Sequence, residues 1–425
     1  MKTLLKLAFR NVFRFKRRTV ITFSAVSLGL AILIISLSLM NGIDKQSINN
    51  IVNSEVSHLK LFSKGYYEKK DDLPMDITIQ KPADIQKLLN QSPLVKESES
   101  RIQFAAGLIK GMDELPCIGI AIQPNRNPRL FNIKQSMVEG EWLEPQDQKV
   151  LLGKNLAEDI GIKVGDVLTI RLIVSSAEEN FSWNAIDVEV KGIFDTGNPN
   201  VDSSYLLIPL HVAQEGLSMG DSVTEIAVRL TLEATDMRGL DKEMARLDSM
   251  LRNKQPDVEA YSWKELAGTF LAISKMKTKN SSMIILIMLF IASMGIVNTM
   301  LMAVFERTRE IGMLSAMGMK KWEIKLLFIF EGAFIGVMGS ILACILGGLV
   351  SWYLEVKGMS ISMVGDTMQK LTSAVYPVKN VFYADLTVGV LALTFILGTA
   401  VSIVASYYPA KRAAEMSPVK ALRHI

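Results

Sequence analysis

The chain has 425 residues, of which 49% are hydrophobic and 21% are charged, and its mean hydropathy is +0.26. This composition is too apolar for an ordinary soluble protein and too polar for one that lies in a membrane throughout. Two cysteines in different regions and three scattered histidines exclude a disulfide framework and offer no metal-ligand spacing.

Long apolar stretches divide the chain. Four of them lack Asp, Glu, Lys and Arg: Thr19–Ile43, Asn280–Phe305, Gly332–Leu354 and Leu386–Ala410. Each exceeds the roughly 20 residues that a helix needs to cross about 30 Å of hydrocarbon. The sequence therefore predicts an α-helical membrane protein with transmembrane helices at residues 19–43, 280–305, 326–354 and 386–410.

The basic start followed by an apolar run is also compatible with a cleavable signal peptide. However, the run is about twice as long as the usual signal-peptide core, and residues 36–42 contain no convincing Ala-x-Ala cleavage site. The cysteine of a lipoprotein signal is missing as well. We therefore expect an uncleaved first transmembrane helix.

The distribution of Lys and Arg predicts the orientation. Residues 1–18 carry seven and no acid, residues 306–325 carry five, and the tail at 411–425 carries four. Residues 355–385 carry three, against three acids. Because short basic flanks stay on the cytoplasmic side, we expect both termini and the 306–325 connection to be cytoplasmic. Residues 44–279 and 355–385 are then extracytoplasmic.

Residues 1–18 are predicted to form a helix on the inner membrane surface. Basic residues recur every four positions, at Lys2, Lys6, Arg10 and Arg14. An apolar stripe beside them contains Leu4, Leu5, Ala8, Phe9, Val12 and Phe13. Such a helix lies in the headgroup layer and is attracted by anionic lipid. The alternative is ordinary basic flanking sequence.

Residues 44–279 are long enough to bury a core and are predicted to form a large α/β domain with helical stalks, inserted between the first and second transmembrane helices. The early strands and a late strand–helix pair flank a β-rich middle, which favours one subdomain inserted into another. No hydrolase, zinc-protease or P-loop motif is present there, so no catalytic residue is proposed. Among the predicted elements are a strand at 76–80 and helices at 81–93, 150–160, 236–254 and 263–276.

The segment 306–325, ERTREIGMLSAMGMKKWEIK, is the short charged connection between the second and third transmembrane helices. Its charges can pair across one helical turn, as Glu306 with Arg309 and Arg307 with Glu310. Apolar and small residues form another face, and a glycine follows as a helix terminator. We expect a short helix parallel to the membrane; the alternative is an ordinary basic loop.

The third transmembrane helix carries small residues at every fourth position. They are Gly332, Gly336, Ser340, Cys344 and Gly348. This pattern predicts close packing against another helix, either within the chain or in a second copy. Glu331, at the edge of this helix, could pair with an Arg or Lys of the preceding segment or extend to the membrane interface.

Two stretches, MGIVNTMLMAVFERTREIGMLSAMGMKKWEI and YYPAKRAAEMSPVKALR, resemble the signature of FtsX-like ABC transporter permeases. This group includes macrolide-exporter and lipoprotein-releasing permeases. The one-plus-three arrangement of transmembrane helices around a large outer domain also fits, so the resemblance covers essentially the whole chain. The early stretch SEVSHLKLFSKGYY is similar to the lipoprotein-releasing branch.

The resemblance implies a coupling helix that seats on a separate ATPase subunit, a dimer that binds ATP and Mg²⁺. No cofactor and no ATP hydrolysis are expected in this chain, since no fused ATPase domain is recognised. A second permease chain, the same or related, and a periplasmic carrier or adaptor are also implied, at the bacterial inner membrane. The positions carried over to ATPase coupling are Glu306, Arg307, Arg309, Glu310, Gly312, Met313, Ala316, Met317 and Gly318.

In the lipoprotein-releasing branch, an acylated protein leaves the inner membrane between the first two transmembrane helices and passes to a periplasmic carrier. The resemblance implies that residues 41–53 and 263–291 would line that path. Two other functions stay open: a mechanical regulator of a periplasmic enzyme, and an exporter of a small amphiphile or peptide. A stand-alone sensor would lack an ATPase partner.

Overall fold

The computed structural model describes residues 2–14, 16–111, 113–175, 181–231, 242–248, 251, 255–360 and 381–417. The chain divides into two compact units. The helical unit comprises Met1–Ile43, Ile273–Met359 and Phe382–Ile425, and the α/β unit comprises Asp44–Ala272 and Ser360–Val381.

In the described part of the chain, six helices form the helical unit. Four of them contain stretches long and apolar enough to cross a membrane, which confirms the predicted class. We name them the N-terminal helix (Lys2–Arg14), TM1 (Lys16–Ile51), TM2 (Gly268–Glu306), the connecting helix (Thr308–Ala316), TM3 (Lys321–Lys357) and TM4 (Val388–Ala414).

The helices run beyond the apolar stretches. TM2 begins at Gly268 rather than at residue 280, and TM3 begins at Lys321 rather than at residue 326. The segment 306–325 therefore contains the end of TM2, a nine-residue helix and the first turn of TM3. Absence of charge marks only the part of a helix that suits hydrocarbon, whereas backbone hydrogen bonds continue through polar residues.

TM3 packs closely against TM4 at two glycines. A Cβ at Gly332 would overlap the hydroxyl of Ser406, and a Cβ at Gly336 would lie 2.5 Å from the Cβ of Ser402. Both serines are fully buried and donate to carbonyls one turn earlier in TM4. Small residues thus let the two helices approach within backbone distance.

A second face of TM3 accommodates TM1. A Cβ at Gly347 would lie 3.0 Å from the carbonyl oxygen of Ala31 and 3.0 Å from Ile34, and one at Gly339 would lie 2.9 Å from Val26. TM3 is therefore packed between TM1 and TM4.

The remaining small residues of TM3 differ in their surroundings. Ser340 is fully buried, and a Cβ at Gly398 of TM4 would lie 2.5 Å from its hydroxyl oxygen. Cys344 Sγ lies 3.8 Å from the carbonyl of Leu391. Among the described residues, a Cβ at Gly348 would meet only Leu391, at 3.9 Å. The packing of TM3 against TM4 is therefore looser at Gly348 than at Gly332 and Gly336.

The α/β unit is built on a ten-stranded sheet. Its order is β10-β1-β9-β2-β3-β8-β5-β7-β4, and β6 pairs with β2 and β7. The strands are β1 Leu59–Ser63, β2 Val95–Lys110, β3 Asp113–Ile122, β4 Met137–Gly140, β5 Lys149–Gly153, β6 Val167–Ser175, β7 Phe181–Phe194, β8 Tyr205–Pro209, β9 Glu225–Leu230 and β10 Val258–Ser262. A separate pair joins β11 (Met359–Ser360) to β12 (Val381–Phe382).

Helical segments cover the sheet. They are Val52–Val56, Tyr67–Asp72, Pro82–Asn90, Asn127–Leu130, Ile133–Ser136, Lys154–Ile160, Pro199–Ser204, Leu210–Gly216 and Trp263–Leu266. The long strand β2 belongs to both halves of the sheet. Up to Arg101 it pairs with β9, and from Ile102 it pairs with β3. The two halves therefore share one continuous strand.

Several local predictions were wrong. Residues 150–153 form β5, not a helix, because this strand lies between β7 and β8 and is apolar on both faces. Residues 76–80 make only an isolated bridge, Ile79 with Val223. The helix predicted at 263–276 is interrupted at Ala267. The chain is helical at 242–248, and the rest of the helix predicted at 236–254 lies largely outside the described residues.

The clearance between TM3 and TM4 can be tested with two alanine substitutions. Gly336→Ala introduces a clash with Ser402, whereas Gly348→Ala introduces a methyl group into ordinary contact. Both gain the same helix propensity of about 1 kcal/mol. We expect the purified Gly336→Ala chain to be about 1–3 kcal/mol less stable than Gly348→Ala, seen as a lower melting temperature in detergent. Equal melting temperatures would contradict the close approach of TM3 and TM4.

Candidate functional site

A buried ion pair lies at the start of the connecting helix. Arg307 Nη1 lies 2.9 Å and 3.2 Å from the two carboxylate oxygens of Glu331, and both side chains are only 5% exposed. The ring of Phe328 lies beneath the guanidinium, 5.6 Å away. Glu331 is on TM3, so this pair joins the end of TM2 to TM3. Of the two alternatives for Glu331, the structure shows pairing.

The ion pair is part of a larger charge network. Arg307 Nε donates to Glu310 at 3.1 Å, and Arg14 Nη1 lies 2.6 Å from the other carboxylate oxygen of Glu310. Asn11 Nδ2 donates to Glu331 at 2.8 Å. These five residues, hereafter the charge network, connect the N-terminal helix, the connecting helix and TM3.

The N-terminal helix is attached to TM3 by apolar packing as well. Leu4, Ala8 and Val12 recur every four residues and are buried against it. The ring of Phe9 meets Phe334 of TM3 edge-on at 5.6 Å. Of the predicted apolar stripe, Leu4, Ala8 and Val12 are therefore buried, while Leu5 and about half of Phe9 stay exposed.

Between the N-terminal helix and the connecting helix lies a groove of about 450 Å³. Its exposed apolar residues include Met313 and Met317, which are 46% and 76% exposed. Methionine side chains are flexible and adapt to different surfaces. The groove is lined by Leu7, Asn11, Arg14, Arg307, Glu310, Met313, Leu314, Ala316 and Met317.

The structure separates the nine residues predicted for coupling into two groups. Arg307 and Gly312 are buried and Glu310 is partly buried, so these three contribute to internal packing. Gly318 follows the helix with φ = +97°, a left-handed conformation that favours glycine. The exposed residues are Glu306, Arg309, Met313, Ala316, Met317 and Gly318.

Sequence reasoning missed Asn11 and Arg14 as members of this site. A lone acid in an apolar run, such as Glu331, signals that a buried partner is required. The sequence did not indicate that the N-terminal helix would supply one of the partners of Glu331, because Asn11 and Glu331 are 320 positions apart.

A second polar cluster is buried in the α/β unit, where β2 passes from one half of the sheet to the other. Lys60 Nζ donates to Glu225 at 2.9 Å, and Arg101 Nε lies 3.5 Å from the other oxygen of this carboxylate. Arg101 also lies over the ring of Phe131, 4.5 Å from its centroid. Burial lowers the pKa of Lys60, and the charge of Glu225 partly offsets this effect.

Glu99 is fully buried near this cluster. It accepts hydrogen bonds from the backbone N–H of Gln123 at 2.8 Å and from Asn127 Nδ2 at 2.9 Å. Burial raises the pKa of Glu99 to about 7, although the positive charge of Arg101 opposes the shift. This carboxyl group therefore titrates near neutral pH.

The end of TM1 beyond residue 44 belongs to the α/β unit and is fixed there by polar contacts. Asn50 Nδ2 donates to the carbonyl of Thr196 at 3.2 Å. Glu55, in the π-helical turn Val52–Val56, accepts from Asn198 Nδ2 at 3.1 Å. Burial raises the pKa of Glu55. We call these contacts the stalk joint.

Comparisons with known proteins identify the family. Residues 282–418 match a family model described as FtsX-like permease C-terminal. Residues 19–246, more than half of the chain, match the MacB-like periplasmic core domain. The chain is an FtsX-like ABC transporter permease. Its α/β unit is therefore the periplasmic domain that follows the first transmembrane helix.

Similar proteins cover nearly the full length of this permease. The lipoprotein-releasing system transmembrane protein LolE of Haemophilus influenzae is 25% identical over 94% of this chain and 93% of its own length. The corresponding LolC of Neisseria meningitidis is 23% identical over 96% and 94%. Together with the four apolar helices, these relatives indicate a multi-pass inner-membrane protein.

Solved structures give a more distant likeness. The periplasmic region of MacB from Actinobacillus actinomycetemcomitans aligns with 52% of this chain and 96% of its own length, at 15% identity and a TM-score of 0.36.

The charge network of this permease can be tested by removing one charge or both. Glu331→Gln leaves the buried cation of Arg307 with only the partly exposed carboxylate of Glu310 as a counter-charge, so we expect a loss of stability of up to about 3–5 kcal/mol. Arg307→Met combined with Glu331→Leu removes both charges and should recover most of it. The measurement is the melting temperature of the full chain in detergent. A double variant as unstable as the single one would contradict this explanation.

The pKa of Glu99 predicts a pH dependence. Its folded-state pKa of about 7 lies above the ordinary value of 4.5, so the folded state retains the proton more tightly. The resulting stability is complete below about pH 4.5 and is lost as pH rises to about 7, at about 1.4 kcal/mol per unit. Glu99→Gln should remove this slope.

Asn127 makes Glu99→Gln a mild substitution. In the described part of the chain, Asn127 Oδ1 accepts no hydrogen bond, so it can accept one from the new amide. Between pH 5 and pH 7, we expect the melting temperature of the variant to exceed that of the wild type by an increasing margin. Above pH 7, the difference should be constant. A difference that does not change with pH would show that Glu99 is not the titrating group.

Proposed function

We propose that this permease works with a separate ATPase subunit, which binds the groove between the N-terminal helix and the connecting helix. The groove presents exposed apolar side chains, such as Met313 and Met317, beside a rim that contains Arg14 and Glu310. Apolar anchors within a charged rim are typical of protein docking surfaces. ATP and Mg²⁺ would be bound by the partner, and the groove and both termini would face the cytoplasm.

The charge network gives this surface a mechanical connection. Because Arg307 is paired to Glu331 and Glu310 at once, the connecting helix cannot tilt far without moving the end of TM2 or breaking a buried ion pair. A displacement of the connecting helix would therefore reach TM2 and TM3. This rigid attachment of an exposed groove is the observation on which the proposal rests.

The proposed substrate is an acylated protein of the inner membrane. Support comes from two full-length relatives, which are described as parts of lipoprotein-releasing systems. TM2 also presents a broad apolar face to its surroundings. Acyl chains, or the TM helices of a second permease chain, would pack against this apolar face. Exposed residues on this face include Met283, Leu286, Ile287, Phe290, Ile291 and Met294.

A mechanical function is the second candidate, and the stalk joint favours it. TM1 continues as one helix to Ile51, and Asn50 and Glu55 fix its end to the loop around Thr196 and Asn198. Movement of TM1 would then be transmitted directly to the periplasmic domain. Such a permease would drive a periplasmic partner without extracting lipid.

The two functions are distinguished by a release assay in proteoliposomes with the ATPase subunit present. An acylated lipoprotein is compared with the same protein lacking acyl chains. We expect ATP-dependent release of the acylated form to a periplasmic carrier, and none of the other form. ATP hydrolysis without release would favour the mechanical function.

The docking groove is tested by Met317→Glu, which places a charge on its most exposed apolar residue. We expect at least a tenfold loss of ATPase co-purified with the tagged permease, because a buried unpaired carboxylate is costly at an interface. The matched control is Lys321→Gln, an exposed position outside the groove with the same change in net charge. Equal recovery of ATPase with both variants would place the docking surface elsewhere.

A further inference from the structure

The N-terminal helix presents three faces, of which one is packed on TM3. Exposed side chains cover the rest: Leu5 and Phe9 form an apolar pair, and Lys6 and Arg10 form a basic pair. At about 100° per residue, the basic pair lies roughly a quarter turn from the apolar pair. The helix is therefore amphipathic on the side that faces away from the protein.

No acidic side chain that the structure describes neutralises the basic pair. Neither Lys6 nor Arg10 forms an ion pair with any residue that the structure describes. Exposed apolar side chains beside unpaired cations suit the headgroup layer of a membrane, where phosphate oxygens accept from guanidinium and ammonium groups. Basic residues near an anionic membrane surface strengthen binding to it.

The same helix supplies two members of the charge network. Asn11 donates to Glu331, and Arg14 pairs with Glu310. These two residues lie about one and two helical turns after Lys6. Arg14 is 57% exposed, so its contact with Glu310 is only partly desolvated and gains little by itself. An external contact that holds the N-terminal helix on TM3 would therefore strengthen the network.

We propose that anionic phospholipid binds Lys6 and Arg10 and thereby controls how firmly the connecting helix is fixed. When the lipid is bound, the N-terminal helix stays on TM3 and Asn11 and Arg14 keep their partners. When it is absent, the helix separates more often and the groove loses one wall. This inference rests on the proposed function in one respect, namely that the groove receives the ATPase.

Lipid binding is measured first, on the full chain without the ATPase. The protein is reconstituted in phosphatidylcholine nanodiscs with 30% phosphatidylglycerol, transferred to neutral detergent, and the retained lipids are quantified by mass spectrometry. We expect Lys6→Gln with Arg10→Gln to retain at least threefold less phosphatidylglycerol than the wild type. The matched control, Lys134→Gln with Lys163→Gln, removes the same charge from exposed positions of the periplasmic domain and should behave as the wild type.

Two outcomes of this measurement would overturn the proposal. One is equal retention by the wild type and the Lys6/Arg10 variant. The other is complete loss of the retained lipid when inorganic phosphate is added at millimolar concentration, which would indicate a site for a free anion. Unchanged retention in phosphate supports a lipid ligand.

The effect on coupling is measured with the ATPase subunit in the same nanodiscs. We expect 30% phosphatidylglycerol to raise ATP hydrolysis severalfold for the wild type and for the control variant, but not for the Lys6/Arg10 variant. Stimulation of all three would overturn the regulatory part of the proposal.

A parallel measurement of ATPase co-purification separates this inference from the proposed function. If Met317→Glu abolishes docking while lipid has no effect on activity, only the lipid inference fails. If lipid retention depends on Lys6 and Arg10 but Met317→Glu leaves docking intact, the lipid site stands and the proposed groove fails.

Discussion

The pairing of Arg307 with Glu331 is the interaction on which the helical unit depends. Two charges that are each 5% exposed have lost most of their hydration, which is costly unless the geometry compensates. Here it does, since Arg307 reaches both oxygens of Glu331 and also Glu310. The pair therefore specifies one position of TM2 relative to TM3, and the connecting helix follows from that position.

The N-terminal helix completes this arrangement from a distant part of the sequence. Its contacts with TM3 combine buried small and branched side chains, at Ala8 and Val12, with one hydrogen bond from Asn11. Residues from the first fourteen positions therefore complete the packing around TM3 and the charge network. This explains why a short amphipathic segment belongs to the same compact unit as the transmembrane helices.

Apolar run length was sufficient to predict four transmembrane helices and the large domain after the first of them. It could not locate the helix ends, because TM2 and TM3 begin in polar sequence, at Gly268 and Lys321, before their apolar stretches. The four-residue spacing of Gly332 and Gly336 predicts close packing, but it does not predict that TM4 is the partner helix. The family resemblance implies a coupling role for Arg307, whereas its burial beside Glu331 is visible only in the fold.

In the periplasmic domain, the sequence pattern predicted a β-rich middle. It was wrong for β5, where Val150, Leu151 and Leu152 are all buried and no alternation exists. The cluster of Lys60, Glu225 and Arg101 has no sequence signal, because its members come from three separate strands. Such clusters arise from sheet order, which hydrophobic periodicity does not specify.

The two small-residue faces of TM3 have a consequence for how the bundle can change shape. TM1 and TM4 are each in backbone contact with TM3 through Gly347 and Gly336, so separating them would open voids and expose packed surface. TM2 differs, because only 12% of its most apolar stretch is buried within the part of the chain that the structure describes. Sideways movement of the first part of TM2 would exchange one apolar neighbour for another, whereas Ile296, Met300 and Val304 hold its last turns in the core. Conformational freedom in the bundle is thus concentrated in one helix, with Arg307 as its pivot.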